Sequence, residues 1–145
     1  MFWTASAWGA WISSHLESMT ALAELPRVIH LMEWVLDRDE SFRGGRPHVF
    51  LGVYHAARPK ILGGDPVRSR QHFDRALELS SRHDLMMLVQ MARYYARQVF
   101  DRELYVALLE EAMARPVDAV PELTLQNAAA QRQARALLDE VDEFF

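Results

Sequence analysis

The chain has 145 residues, with 16 Lys and Arg against 20 Asp and Glu for a formal charge of −4, and half of its residues are hydrophobic. One domain of this size buries roughly 70% of the surface of its unfolded chain. A sequence without Cys excludes disulfide scaffolds, thiol catalysis and Cys-ligated metal, and mild acidity without a basic tract argues against nucleic-acid binding.

The opening stretch, residues 1–16, carries no formally charged side chain and holds Trp3, Trp8 and Trp11. No Lys or Arg precedes the apolar run, so it is not a secretory signal. It is also shorter than the ~20 apolar residues that a membrane span needs. Trp8, Trp11, Ile12 and His15 fall at helical spacing and predict an aromatic-faced helix. No capping or turn residue introduces it. The expectation is an interior helix of a longer stack whose upstream helices are missing here.

Pro26 suits the first turn of the next helix, with Val28, Leu31, Met32, Val35 and Leu36 on one face and Gly44-Gly45 beyond its end. The run Val49–Tyr54 reads locally as either a buried strand or a helix. Gly63-Gly64-Asp65-Pro66 is a helix start: the glycines permit a turn, Asp65 accepts from free backbone N–H groups, and Pro66 needs no N–H partner. Phe73, Ala76, Leu77 and Ser80 line one face of the helix that follows. Asp84 is the expected cap of a helix apolar nearly all round, with Leu85, Leu88, Val89, Ala92, Ala96 and Val99 on one side and Met86, Met87, Met91 and Tyr94 over the rest. Such a helix belongs in the middle of the protein. Asp101 caps the next, whose stripe is Tyr105, Leu108, Leu109 and Ala112, and Pro116 stops it. Pro121 starts a long final helix with Ala130, Ala134, Leu137, Val141 and Phe144 inward. No segment sustains a period of two, so the predicted fold class is all-α.

Spacing then points to a repeat. Ser69, Phe73 and Ala76 match the small–aromatic–Ala pattern of a second tetratricopeptide helix, and Tyr105, Leu109 and Ala112 follow 36 residues later. Leu31 and Trp34 lie 42 residues before Phe73 and Ala76. Leu51-Gly52 then takes the Leu-Gly position of a first repeat helix, shifted by a longer loop at 60–65, which settles Val49–Tyr54 as helix. The expected architecture is one helical-repeat domain over 1–145, a tetratricopeptide-like stack of antiparallel hairpins. A charged last helix caps it, with Arg132, Arg135, Asp139, Glu140 and Glu143.

The ordered motifs carry a resemblance over nearly the whole chain. They are Trp3-Thr4-Ala5-Ser6-Ala7-Trp8-Gly9-Ala10-Trp11-Ile12, His48-Val49-Phe50-Leu51-Gly52, Pro59 through Gly63-Gly64-Asp65, and His72-Phe73-Asp74-Arg75-Ala76. Ala92-Arg93-Tyr94-Tyr95-Ala96, Phe100-Asp101-Arg102, Pro121-Glu122-Leu123, Leu125-Gln126-Asn127 and Ala134-Arg135-Ala136-Leu137-Leu138 complete the series. In these the sequence resembles TatT-type proteins, the T component of tetratricopeptide-repeat-associated TRAP transporters. The resemblance implies a periplasmic, non-enzymatic transport component that pairs with the transporter's substrate-binding protein. It also implies a homo-oligomer, a trimer in the family, and possession by family members of a lipid anchor on a Cys that this chain lacks. The expected ligand is a small organic or hydrophobic molecule. A general tetratricopeptide-like adaptor for peptide segments is the alternative.

Candidate ligand- or partner-binding residues are the large aromatics Trp8, Trp11, Trp34, Phe50, Tyr54, Tyr94 and Tyr95, set against the reading that they fill the core. Tyr54 and Tyr94 stand out because a phenol offers a polar handle in an apolar cleft. No cofactor or metal is expected. His48 and His55 are two helical turns apart, about 10 Å along the axis, too far for shared ligation, although His72 can approach from the paired helix. Asp74/Glu78 and Asp139/Glu143 read as solvated carboxylate pairs. Arg68, Arg70, Arg75 and Arg82 gather near one helix and offer a contact to an acidic partner. Asn127, beside three alanines, is expected to bridge to a neighbouring helix or loop.

Overall fold

The structure is a computed structural model that describes residues 1–15 and 18–145, so Leu16, at the end of the aromatic opening stretch, lies outside the described residues. Among these residues all regular structure is helical. The elements are α1 (Phe2–Ser13), α2 (Met19–Ala23), α3 (Leu25–Arg38), α4 (Arg46–Ala56) and α5 (Pro66–Leu79). They continue with α6 (Leu85–Gln90), a π-helical turn Met91–Ala96 in direct sequence with it, α7 (Arg102–Ala114), α8 (Thr124–Asp139) and α9 (Val141–Phe144). The ambiguous run Val49–Tyr54 is therefore helix. No described helix is long and apolar enough to cross a membrane.

Local chemistry accounts for most of the boundaries. Pro26 and Pro66 sit in the first turns of α3 and α5. Asp65 Oδ1 accepts from the Arg68 N–H at 3.1 Å, and Asp101 Oδ1 from the Leu104 N–H at 2.9 Å. Asp84 departs from expectation. It stands at the N-cap position of α6 but makes no side-chain cap bond. Its carboxylate, 3% exposed, accepts instead from Arg46 at 2.8 Å and Gln126 at 2.9 Å. A buried carboxylate gains more from a guanidinium than from one amide. The Leu85 N–H is then satisfied by Asn127 Oδ1 at 3.0 Å, from α8. The final helix departs too: it breaks at Glu140, and α9 is a separate turn that packs Val141 and Phe144 against the core.

Helices pack in adjacent pairs, α1 with α3, α3 with α4, α4 with α5, and α7 with both α6 and α8. Two apolar clusters result. One gathers Phe2, Ala5, Ile12, Val28, Met32, Val35 and Leu51, and the other Phe73, Leu88, Tyr105, Leu109, Ala130 and Ala134. Helix α4 serves both, since Leu51 belongs to the first and Val49 and Val53 pack on the second. The buried triplets of α5 and α7 fall as the repeat spacing predicts, with Ser69, Phe73, Ala76, Tyr105, Leu109 and Ala112 all 0% exposed. In α3 the buried stripe is Val28, Met32 and Val35, which lie 41 residues before Ser69, Phe73 and Ala76. Leu31 is only half-buried and Trp34 is 36% exposed, so the expected offset of 42 is one residue too long. One position turns a helical face by about 100° and carries Trp34 outward.

Gly52 fixes how closely α4 and α5 approach. A Cβ there would lie 2.9 Å from the ring of Phe73, and the Ser69 hydroxyl donates to the Gly52 carbonyl at 2.8 Å. Gly52→Ala is therefore expected to lower stability by about 1–2 kcal/mol through overpacking, despite the better helix propensity of Ala. Urea denaturation of the two proteins checks this; an unchanged midpoint would mean that the Phe73 ring yields freely.

Candidate functional site

Three helices converge on one polar groove. Helix α3 contributes Glu33, Leu36 and Asp37, α4 contributes Leu51 and His55, and α5 contributes Arg68, Gln71 and His72. The cavity measures about 300 Å³. Its α5 wall follows from helical spacing, because Arg68, Gln71 and His72 stand at i, i+3 and i+4. Opposite them α3 presents two exposed carboxylates, so the groove is positive and amide-bearing on one side and negative on the other.

The groove leads to three imidazoles. Nδ1 of His48 and Nδ1 of His72 are 2.9 Å apart, and the ring of His72 lies parallel to that of His55 at 5.7 Å between centroids. On its other side His48 Nε2 reaches Glu40 Oε1 at 3.0 Å. Arg75 holds the same carboxylate through its Nε and Nη2, and also pairs with Glu78 at 3.0 Å. Hydrogen bonds from Arg75 and His48 pull Glu40 down to about 2, so it is ionised at any ordinary pH. A carboxylate only accepts, so His48 Nε2 carries a proton. Burial, with smaller contributions from His48, His55 and Arg68, pushes His72 down to about 4. Burial also lowers His55, which is 9% exposed, with Arg68 next in effect. Both are neutral imidazoles near pH 7, able to give and to accept one hydrogen bond each. Among the described residues no group of three or more His, Cys, Asp or Glu is placed to hold a metal ion. The chemistry available is hydrogen bonding and proton transfer.

A second hollow, about 410 Å³ and almost wholly apolar, lies over Trp8, Pro26, Arg27, His30 and Leu31 between α1 and α3. Trp8 lines it and donates its indole N–H to Glu24 at 2.6 Å. Of the seven candidate aromatics Trp8 alone lines either cavity. Trp11 is 45% exposed and stacks on His15, and Trp34 lies under the Arg38 guanidinium at 3.6 Å. Phe50 and Tyr54 are half-buried against the first cluster, with Arg58 4.7 Å from the Tyr54 ring. Tyr94 and Tyr95 lie in the π-helical turn, where Tyr95 packs on the second cluster and faces Arg70.

The arginine group is largely neutralised within the chain. Arg70 pairs with Asp74 at 3.0 Å, Arg75 with Glu40 and Glu78, and Arg82 with Glu111 at 2.9 Å. Arg68 keeps a 65% exposed side chain with Asp65 at 3.7 Å, and it is the member that lines the groove. Glu33, Asp37 and Gln71 were not among the residues expected from the sequence, whereas Arg68 was expected as a contact to an acidic partner. The legible signal was the polar i, i+3, i+4 face of α5, together with the approach of His72 to α4.

A search of curated proteins returned no match. The model of one family, TAtT, the TRAP transporter T-component, matches residues 1–145. The chain belongs to the TRAP transporter T-component family.

Proposed function

We propose that this chain is a non-enzymatic accessory component that docks the substrate-binding protein of its TRAP system in the periplasm. In this reading its helix pairs stack as a tetratricopeptide-like scaffold of one domain. The match of the family over residues 1–145 carries the proposal. The groove between α3, α4 and α5 receives the polar end of a small organic ligand, supported by its convergent donors and acceptors and its perturbed imidazoles. The exposed Trp11 and Trp34, with Trp8 one turn before Trp11 on α1, form the aromatic surface offered to a partner or to further copies of this chain. Phe50 and Tyr54 pack on the first apolar cluster that carries these helices, and Tyr94 and Tyr95 offer a separate aromatic contact in the π-helical turn. Assembly is a trimer by family resemblance.

Size-exclusion chromatography of the chain mixed with the substrate-binding protein of the same system tests this. A joint peak is expected at tens of micromolar, weakened at least fivefold by Trp11→Ala or Trp34→Ala. Two separate peaks from folded proteins would overturn it. Binding of unrelated peptide segments instead would favour a general adaptor.

A further inference from the structure

We infer that His72, His48 and Glu40 form a proton relay that reverses the hydrogen-bonding role of the groove wall. With His48 neutral, the geometry permits one starting arrangement. His48 donates from Nε2 to Glu40, so in the neutral ring Nδ1 is an acceptor. The contact between the two Nδ1 atoms then requires His72 to donate from its Nδ1. That leaves the His72 Nε2 lone pair as the ring's remaining polar atom, on a side chain that lines the groove. In this state the His72 ring can only accept from a ligand.

A proton that enters from the groove binds Nε2 of His72 and forms a new N–H bond there. The Nδ1–H bond of His72 then breaks as its proton passes to Nδ1 of His48. The result is an imidazolium at His48, donating from both nitrogens, and a neutral His72 with its N–H at Nε2. One proton has been taken up, and Nε2, the His72 nitrogen not held by His48, has changed from acceptor to donor.

The surrounding charges decide where the proton rests. His48 faces Glu40, whose carboxylate is held by Arg75, itself paired with Glu78. His72 faces His55 from α4, Arg68 on its own helix, and His48, all of which disfavour a positive charge on its ring. Glu33 and Asp37 stand across the groove on α3, and Asp65 and Arg58 act on His55. The cation therefore settles on His48, next to the carboxylate. Once the relay has fired, Arg68 and His72 are both donors on the α5 wall, so an anionic ligand group is favoured at lower pH and a donor group at higher pH. This consequence for ligands rests on the groove being the binding site; the relay itself does not.

The test is nitrogen-15 NMR of the full chain labelled at histidine, titrated without ligand from pH 8 to 5. Two-bond nitrogen–proton spectra distinguish the tautomers and the imidazolium. His72 is expected to exchange its Nδ1–H form for its Nε2–H form while staying neutral, in step with the appearance of a proton on Nδ1 of His48. Glu40→Gln removes the charge that holds the cation and, Glu40 being an exposed side chain, leaves the packing intact. The pH of exchange is then expected to fall by roughly one unit, for both rings together. His48→Gln is expected to abolish the exchange. A His72 ring that keeps one tautomer throughout, becomes imidazolium itself, or exchanges at an unchanged pH in Glu40→Gln would overturn the relay. Because no ligand is present, that failure is distinct from a failure of partner or ligand binding.

Discussion

Asn127→Ala is expected to lower the unfolding free energy by about 3–5 kcal/mol. Asn127 is 0% exposed and fully engaged across three segments. Its Oδ1 accepts from the Leu85 N–H at 3.0 Å, and its amide donates to the carbonyls of His83 at 2.9 Å and Val117 at 3.1 Å. Truncation strands the first N–H of α6 and two carbonyls. A buried polar group left without a partner costs about 1–3 kcal/mol. Because Asp84 is committed to Arg46 and Gln126, it is not free to take over the cap. Urea denaturation at pH 7 measures the loss; a value under about 1 kcal/mol would mean that water replaces all three bonds.

Acid is the second large perturbation. His72 has an ordinary value of 6.5 and is held near 4 in the folded chain. Above pH 6.5 the ring is neutral folded or unfolded, and stability does not depend on it. Between 6.5 and 4 the unfolded chain binds a proton at this ring that the folded chain refuses, so stability falls with pH. With allowance for partial solvent access, the loss is on the order of 2–3 kcal/mol by pH 4. His55, also lowered, adds in the same direction. Glu40 acts in a different window: its contribution is complete above its ordinary value of 4.5 and disappears as pH falls toward 2. His72→Gln is expected to flatten the pH dependence of stability between 6.5 and 4 while changing little at pH 7.5. An equally steep loss in the variant would place the acid sensitivity elsewhere.

The seven aromatics show why the candidate site was harder to read than the fold. Size and hydrophobicity mark a residue as energetically important, but they do not say whether it turns inward. Phe50, on a helix with almost no apolar face of its own, packs beside Gly9 and against the first cluster, while Trp34, on the strongly amphipathic α3, lies on the surface under Arg38. The groove is built from residues whose individual signals are weak. A Glu, an Asp, an Arg and a Gln on helix faces read as solvated until a second and third helix stand opposite them. The histidines gave a partial signal, since the pairing of α4 with α5 was expected to bring His72 toward His48 and His55.

By itself the sequence determined the helical class, the starts at Pro26, Asp65-Pro66 and Asp101, the α5 and α7 stripes, and the bridging role of Asn127. These follow from the period of the apolar residues and from caps that act within one turn, so a short window of chain contains them. Only the tertiary structure decided the rest. It gave Asp84 to Arg46 and the α6 cap to Asn127, 42 residues from the N–H it serves. It moved the repeat register of α3 by one position, from 42 to 41 residues before α5, and it joined His48 to His72 across 24 residues. Each of these is a choice among partners distant in sequence. That choice is made by burial, which makes an unpaired polar group costly, and burial exists only once the helices have packed.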